Sequence, residues 1–291
     1  MAFDFRAEHI VAMHKTTEVS RHYGGTLLVD NGPSSAVKNF GLDRNSARGS
    51  RVVTVLPFSP NRGYGEACND GAAMAGQAAG ILLVNPDAQI TRDTVDLLLG
   101  ALDRSPRLGI VSAWLVKHDG RPAESGGRFP SIFELVLGKL AWVQRRTPLH
   151  FTSTPPRNGH HGVETVDWVS GAVMMIRREA WDAVGGFDPA FFLYYEDIDL
   201  CRRVRAAGWE VGIVPDATAI HESGGSQWRP GTRTRVERIY FESQAYYFRK
   251  HYGRLMEWLL RAVRFPYLAT SLRRRFLERY GVRIRVANDP A

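Results

Sequence analysis

"VDWVSGAVMMIRREAWDAVGGFDPAFFLYYEDIDLCRRVRAAGWEVGIVPDATAIH", residues 166–221, carries most of the information that decides the fold. Its first part reads as an apolar strand running into a helix, with a Gly-Gly stop after Val184. An aromatic run then meets Glu196, Asp197 and Asp199, where a second helix should begin, and a further apolar strand ends near His221. Strand, helix, helix, strand is the grammar of an α/β domain.

The residues upstream repeat that grammar. Apolar runs at 25–32, 51–58, 80–91 and 108–116 read as buried strands, with helices expected at 65–78 and after residue 91. The alternation predicts a mostly parallel central sheet flanked by helices, and such sheets bind ligands beyond the carboxyl ends of their strands. Residues 117–165, rich in Gly, Pro, Arg and His, read as a surface excursion.

Bulk composition narrows the class. With 291 residues, 44% of them hydrophobic, the chain can bury a large core, and no apolar run is long enough to span a membrane. The start, "MAFDFRAEHIVAMHK", places an acid and an arginine where a secretory signal needs an apolar stretch, so the expected location is cytoplasmic. Cys68 and Cys201 have no metal-site spacing and read as buried thiols. Net charge is +8, yet residues 228–291 hold fifteen Lys/Arg against five Asp/Glu, so the basicity belongs to the tail.

Three features carry possible chemistry. At 100° per residue, Asp197 shares a helix face with Leu200, Cys201, Val204 and Gly208, whereas Glu196 and Asp199 lie off it and Asp199 can pair with Arg202 or Arg203. An inward carboxylate must be paired, bound or shifted in proton affinity; the alternative is that Glu196 and Asp197 only complement the positive end of the helix. Asp87 in "VNPD" ends a buried strand, and His221 ends another. An aspartate and an imidazole can hold Mg²⁺ or Mn²⁺ when a diphosphate supplies the remaining oxygens, though each residue alone is an ordinary turn or structural group.

"LLVDNG", "NRGYGEACNDG", "LLVNPDAQI", the segment from Ser170 to Trp209 and "IVPDATAIHESGGS" occur in an order and spacing that resemble family 2 glycosyltransferases of the GT-A fold, particularly bacterial rhamnosyltransferase-like members. The resemblance spans roughly residues 25–226. It implies that residues 1–226 form a GT-A-like catalytic domain and residues 227–291 a basic, amphipathic helical C-terminal extension. By the same resemblance Asp30 and Asn31 contact the nucleotide, and Asn61, Arg62 and Gly63 form the loop that closes on it. Asn85 and Asp87 match the two ends of an Asp-x-Asp motif reduced to one carboxylate, and His221 completes the metal site. Asp197 matches the general base, with Glu196 beside it, while Trp168, Ser170, Gly171, Phe191 and Phe192 fall where an acceptor pocket is expected.

The implied reaction is inverting transfer of a sugar, rhamnose in the nearest members, from dTDP-rhamnose or a UDP-sugar to a lipid-linked or cell-envelope glycan, assisted by Mg²⁺ or Mn²⁺. One departure is that only 29 residues precede Asp30, so the family's first strand is absent or degenerate. A catalytically impaired, glycosyltransferase-like binding or scaffold protein is the alternative. In the tail, Leu255, Trp258, Leu259, Ala262 and Val263 recur at helical spacing beside Arg254, Arg261 and Arg264. That pattern suits an anionic membrane surface, hence a peripheral place on the inner face of the cytoplasmic membrane; no nucleic-acid motif accompanies the charge.

Overall fold

In the computed structural model the described residues are 26–30, 45–48, 51–57, 62–74, 79–85, 87–131, 162–222 and 233–262, with side chains described from residue 62 onward except at 233–235. The five residues of β1 (Thr26–Asp30) pair in parallel with β3 (Arg51–Pro57), and β2 (Asn45–Arg48) pairs antiparallel on the other edge of β3. Asp30 stands at the carboxyl end of β1, opposite Pro57. Residues 1–25, where the family's first strand is expected to be absent or degenerate, lie outside the described residues, as do Asn31 and Asn61.

Helix α1 (Tyr64–Met74) leads to β4 (Gly80–Val84) and the short β5 (Ala88–Gln89). Then come α2 (Arg92–Arg104), β6 (Leu108–Val116), β7 (Gly126–Gly127), β8 (Glu164–Thr165), β9 (Trp168–Val169) and β10 (Val173–Arg177). Helices α3 (Arg178–Val184) and α4 (Glu196–Ala206), strand β11 (Glu210–His221) and helix α5 (Arg233–Tyr252) follow. The main sheet runs β4-β10-β6-β11-β5, with β8 on β11.

This sheet is mixed. β6 and β11 are parallel, but β10 lies antiparallel between β4 and β6. The sequence alternation suggested mostly parallel pairing because each strand–helix–strand crossover returns the chain in the same direction. β10 instead arrives after the long 117–165 excursion, which frees its direction.

Strand alternation assigns the two faces. Ile110, Trp114, Met174, Ile176 and Ile213 pack with α3, α4 and α5, while Val111, Ala113, Leu115, Val173 and Met175 pack with α2 through Val95, Leu98 and Leu102. Helix α2 is fixed by a capping box: Thr94 N–H donates to Thr91 Oγ1 at 3.2 Å, and Thr94 Oγ1 donates to the Thr218 carbonyl at 2.7 Å. Helix α3 stops at Gly185, whose φ of 72° is the left-handed cap that the Gly-Gly pair foretold.

Helix α5 belongs to the core rather than beside it. Ala245, Tyr247 and Phe248 are buried in the same cluster as Phe191, Tyr195 and Leu200. It is also hydrogen-bonded to the loop ahead of α4: Ser243 Oγ donates to the Leu193 carbonyl at 2.8 Å, Gln244 Nε2 donates to the Tyr195 hydroxyl, and Tyr246 donates to Asp188 at 3.0 Å.

Candidate active site

Register brings the sequence candidates to one end of the sheet. Val84 at the carboxyl end of β4 pairs with Val173 at the start of β10, and Asn85 N–H donates to the Ala172 carbonyl at 2.8 Å. Ala88 in β5 pairs with His221 at the carboxyl end of β11, and Ile220 pairs with Val116 at the carboxyl end of β6. Asn85, Asp87, His221 and the Ser170–Ala172 turn therefore line the same edge, where α/β sheets present their ligands.

Asp87 and His221 meet: Oδ1 lies 3.3 Å from Nε2. Among the described residues no group of three or more His, Cys, Asp or Glu gathers to hold an ion. Two residues do fit a divalent cation whose remaining ligands come from a diphosphate, since one carboxylate and one imidazole are suitable donors. Asn85 adds a second mark of the same kind, because its buried Oδ1 has no hydrogen-bond partner among the described residues. A buried acceptor without a donor is the expected condition of a group awaiting a ligand.

The acid pair sits at the start of α4, which enters on two left-handed residues, Tyr194 and Tyr195, both at φ 69°. Asp197 is half-buried and anchored at both oxygens: Gly171 N–H donates to Oδ2 at 3.1 Å and Ile198 N–H to Oδ1 at 2.8 Å. Burial raises its proton affinity, and those amide hydrogen bonds oppose the rise. Glu196 is more deeply buried, 6% exposed, and its Oε2 has no partner. Burial and the neighbouring Asp197 charge both push its carboxyl upward. The Tyr64 hydroxyl donates to the Gly171 carbonyl at 2.7 Å, so Gly171 is held from both sides, by α1 and by Asp197.

The helical stripe holds for Leu200, Cys201 and Val204, all fully buried, but the sorting of the acids needs correction. Asp199, expected on the outer face with an arginine, has no exposed surface. It takes Arg203 at 2.8 Å as expected, and also Lys250 and His251 from α5, each at 2.7 Å. The physical reason is that α4 is covered on two sides, by the sheet and by α5.

Other expectations divide. Ser170 and Gly171 form the turn that seats Asp197, with Ala172 N–H donating to Ser170 Oγ at 3.3 Å. Trp168 is 3% exposed with its indole N–H on the Arg128 carbonyl, and Phe191 is fully buried with its ring edge against Tyr246. Neither has a face to offer an acceptor; both are core residues. Phe192 lines a shallow groove of about 320 Å³ beside α5, with Ile239, Ser243 and Arg249. Arg62, two residues ahead of α1, pairs with Glu66 of that helix at 2.8 Å and with Asp70. Gly63, at φ 100°, lies where a Cβ would fall 2.4 Å from the Phe192 carbonyl oxygen, so the approach of α1 to the 192 loop demands glycine. Cys201 is a buried thiol as expected, whereas Cys68 is half-buried, its thiol pushed up to about 12 by desolvation.

Sequence reasoning missed the turn at 117–123. Lys117 N–H donates to the Arg121 carbonyl at 2.8 Å, Ala123 N–H to the Leu115 carbonyl at 2.9 Å, and His118 N–H to Glu222 at 2.8 Å. The start of the supposed excursion is thus folded back on the ends of β6 and β11. Polar, Gly-containing sequence gave no apolar period to detect, although Asp-Gly at 119–120 is a hairpin signal.

Comparison with known proteins bears directly on this site. The family described as "Glycosyltransferase like family 2" matches residues 128–242, which include α4, β11 and the first part of α5. The N-acetylglucosaminyl-diphospho-decaprenol L-rhamnosyltransferase of Mycobacterium tuberculosis is 33% identical over 217 residues, covering 70% of this chain and 68% of that protein. The chain belongs to glycosyltransferase family 2. Rhamnosyltransferase WbbL of Escherichia coli is 27% identical over 143 residues, 48% of this chain and 51% of WbbL. Among solved structures, the mannosyltransferase PcManGT from Pyrobaculum calidifontis, in complex with GDP-Man and Mn²⁺, superposes with a TM-score of 0.53 at 16% identity, over 84% of this chain and 59% of that one. The fold of this family 2 member is therefore GT-A, and the chain spans only about half to two thirds of the length of these relatives.

Proposed function

We propose that this family 2 member is an inverting glycosyltransferase that moves rhamnose from dTDP-rhamnose, or another sugar from a UDP-sugar, to a hydroxyl of a lipid-linked or cell-envelope glycan. The observation that carries the reading is the Gly171–Asp197 hydrogen bond at the edge where Asp87 meets His221. The rhamnosyltransferase relatives support the sugar, and the decaprenol-diphosphate in the name of one supports the acceptor class.

Asp197 is the base. The acceptor oxygen forms its bond to the anomeric carbon as that carbon's bond to the diphosphate oxygen breaks, the electron pair leaving on the diphosphate and the hydroxyl proton passing to Asp197. A carboxyl whose proton affinity is raised by burial takes that proton more readily. Gly171 and Ile198 hold its oxygens in place, and Glu196, whose own carboxyl is pushed upward by burial and by the charge of Asp197, stands beside it. A divalent ion, Mg²⁺ or Mn²⁺, would be held by Asp87 and His221, with Asn85 facing the donor, and would neutralise charge on the leaving diphosphate. Asp30, Asn31, Asn61, Arg62 and Gly63 complete the donor side in this reading.

Residues 254–262 extend α5 as a second helix with Leu255 and Trp258 about two-thirds exposed beside Arg254 and Arg261. Among the described residues no helix is long and apolar enough to cross a membrane. We take this exposed face as a peripheral anchor on anionic lipid, which places the acceptor's lipid near the site.

The test is transfer and donor hydrolysis with dTDP-rhamnose and UDP-sugars, with and without Mn²⁺. Asp197→Asn should lower turnover about 10²-fold or more, the usual range for a lost general base. A wild-type protein that consumes no donor, together with an unchanged Asp197→Asn variant, would instead support a non-catalytic, donor-binding scaffold.

A further inference from the structure

We infer that Glu124 is a second acceptor-binding carboxyl, standing at the mouth of the cleft beside Asp197 and accepting a hydrogen bond from the acceptor sugar at a hydroxyl next to the reacting one. The inference rests on the glycosyl-transfer reading and deepens it, because it assigns an acceptor contact to a residue outside the recognised motifs.

Backbone hydrogen bonds fix where Glu124 stands. Ala123 N–H donates to the Leu115 carbonyl at 2.9 Å, and Leu115 N–H donates to Ser125 Oγ at 2.8 Å, so both neighbours are tied to the end of β6. Ser170 N–H donates to the Ser125 carbonyl at 2.9 Å, and the next residue, Gly171, holds Asp197. Glu124 therefore follows Asp197 by two hydrogen-bonded steps across the sheet edge. Ala123 and Ser125 are buried, whereas Glu124 between them is open to solvent, as alternation along an extended segment requires. Its side chain is thus free to meet a ligand, and its supports are rigid.

The surroundings lack a reason in the folded protein alone. Glu124, Asp197 and Glu196 bring three carboxyls to one cleft, and Glu196 Oε2 is buried without a partner. Although part of Glu124 reaches solvent, desolvation of its carboxyl by the surrounding chain and then the charge of Asp197 push that carboxyl up to about 7. The other titratable groups around the acids are Tyr64 and Cys68 on α1 and Cys201 on α4, and the turn carries Lys117, His118, Asp119 and Arg121. Sugar hydroxyls, which both donate and accept, are the chemistry that suits a carboxyl titrating near neutrality.

Steady-state transfer to a short-chain prenyl diphospho-N-acetylglucosamine, the probe acceptor, tests this with Glu124→Ala and Glu124→Gln. The side chain packs in no core, so both variants should fold. Glu124→Ala should raise the acceptor KM roughly tenfold, the low end for a lost hydrogen bond to a charged group, while the donor KM moves less. Glu124→Gln, which keeps a carbonyl acceptor of nearly the same shape, should recover about half of that KM loss or more; a purely structural role would lower the melting temperature and leave the acceptor KM in place. An acceptor KM unchanged within twofold in Glu124→Ala, or no recovery in Glu124→Gln, overturns the inference. A wild-type protein without donor turnover would overturn the glycosyl-transfer reading instead, and acceptor-probe binding by calorimetry, expected about tenfold weaker in Glu124→Ala and refuted by equal affinity, still decides the role of Glu124.

Discussion

Asp199→Asn keeps the shape of the side chain and removes its charge at the junction of α4 and α5. Burial alone would raise the proton affinity of this carboxyl, but the His251 hydrogen bond and the charges of Arg203 and Lys250 outweigh it and hold it at about 2. Against about 3.9 in the unfolded chain, that difference corresponds to roughly 2.5 kcal/mol of stability at neutral pH. Breaking a buried pair by removing one partner costs about 3–5 kcal/mol when the partner is left dry. Here Arg203 and Lys250 keep side-chain exposures of 21% and 25%, and Lys250 retains Asp188 at 2.7 Å, so the lower value governs. We expect a loss of about 2.5–3 kcal/mol in urea unfolding at pH 7. Because the folded-state pKa is depressed, the contribution is complete above the unfolded value and disappears as pH falls through about 2; at pH 3 it should be near 1.3 kcal/mol. A loss below about 1 kcal/mol at pH 7, or a gap between the two proteins that stays constant from pH 7 to pH 3, would refute the reasoning.

Three further outcomes follow from the geometry. Gly63→Ala should cost about 2–3 kcal/mol, since it forces a positive φ and a Cβ clash on the Phe192 carbonyl, which a thermal melt would register as a clear drop in Tm. Asp87→Asn should weaken Mn²⁺ affinity at least tenfold in the presence of donor, read by Mn²⁺ paramagnetic resonance, and equal affinity would remove Asp87 from the metal site. Leu255→Ser with Trp258→Ser should weaken binding to phosphatidylglycerol liposomes at least about 100-fold in flotation, from roughly 1.5–3 kcal/mol per buried side chain; unchanged flotation would overturn the anchor.

The placement of the acid pair and of the strand ends in the candidate site was legible from sequence because their signals are local. An apolar strand ending in Asn-Pro-Asp, a Gly-Gly helix stop and an acid pair opening a helix each occupy a few adjacent residues, and each stands where its pattern placed it. What escaped was set by partners far along the chain. Asp199 is buried by Lys250 and His251, some fifty residues later, and no periodicity within α4 encodes that cover. Phe191 and Trp168 read as pocket walls because the family resemblance put an acceptor pocket there, whereas Tyr246 and the Arg128 carbonyl claim them in the fold. The antiparallel direction of β10 depended on the length of the excursion before it, and Glu124 sat inside that excursion.

The left-handed pair Tyr194–Tyr195 gives α5 an importance that its distance in sequence conceals. A non-glycine residue at positive φ costs on the order of 1–3 kcal/mol, and two in succession persist only where the surroundings over-determine them. Tyr240 edges onto both rings, Tyr247 tilts against Tyr195, and Gln244 grips its hydroxyl, so α5 contributes compensation at both residues. A chain cut after residue 226 would release this cocked turn to ordinary backbone, and the first turn of α4, with Glu196 and Asp197, would swing away from Gly171. For anyone trimming or fusing this chain, the apparent appendage is the latch on the trigger.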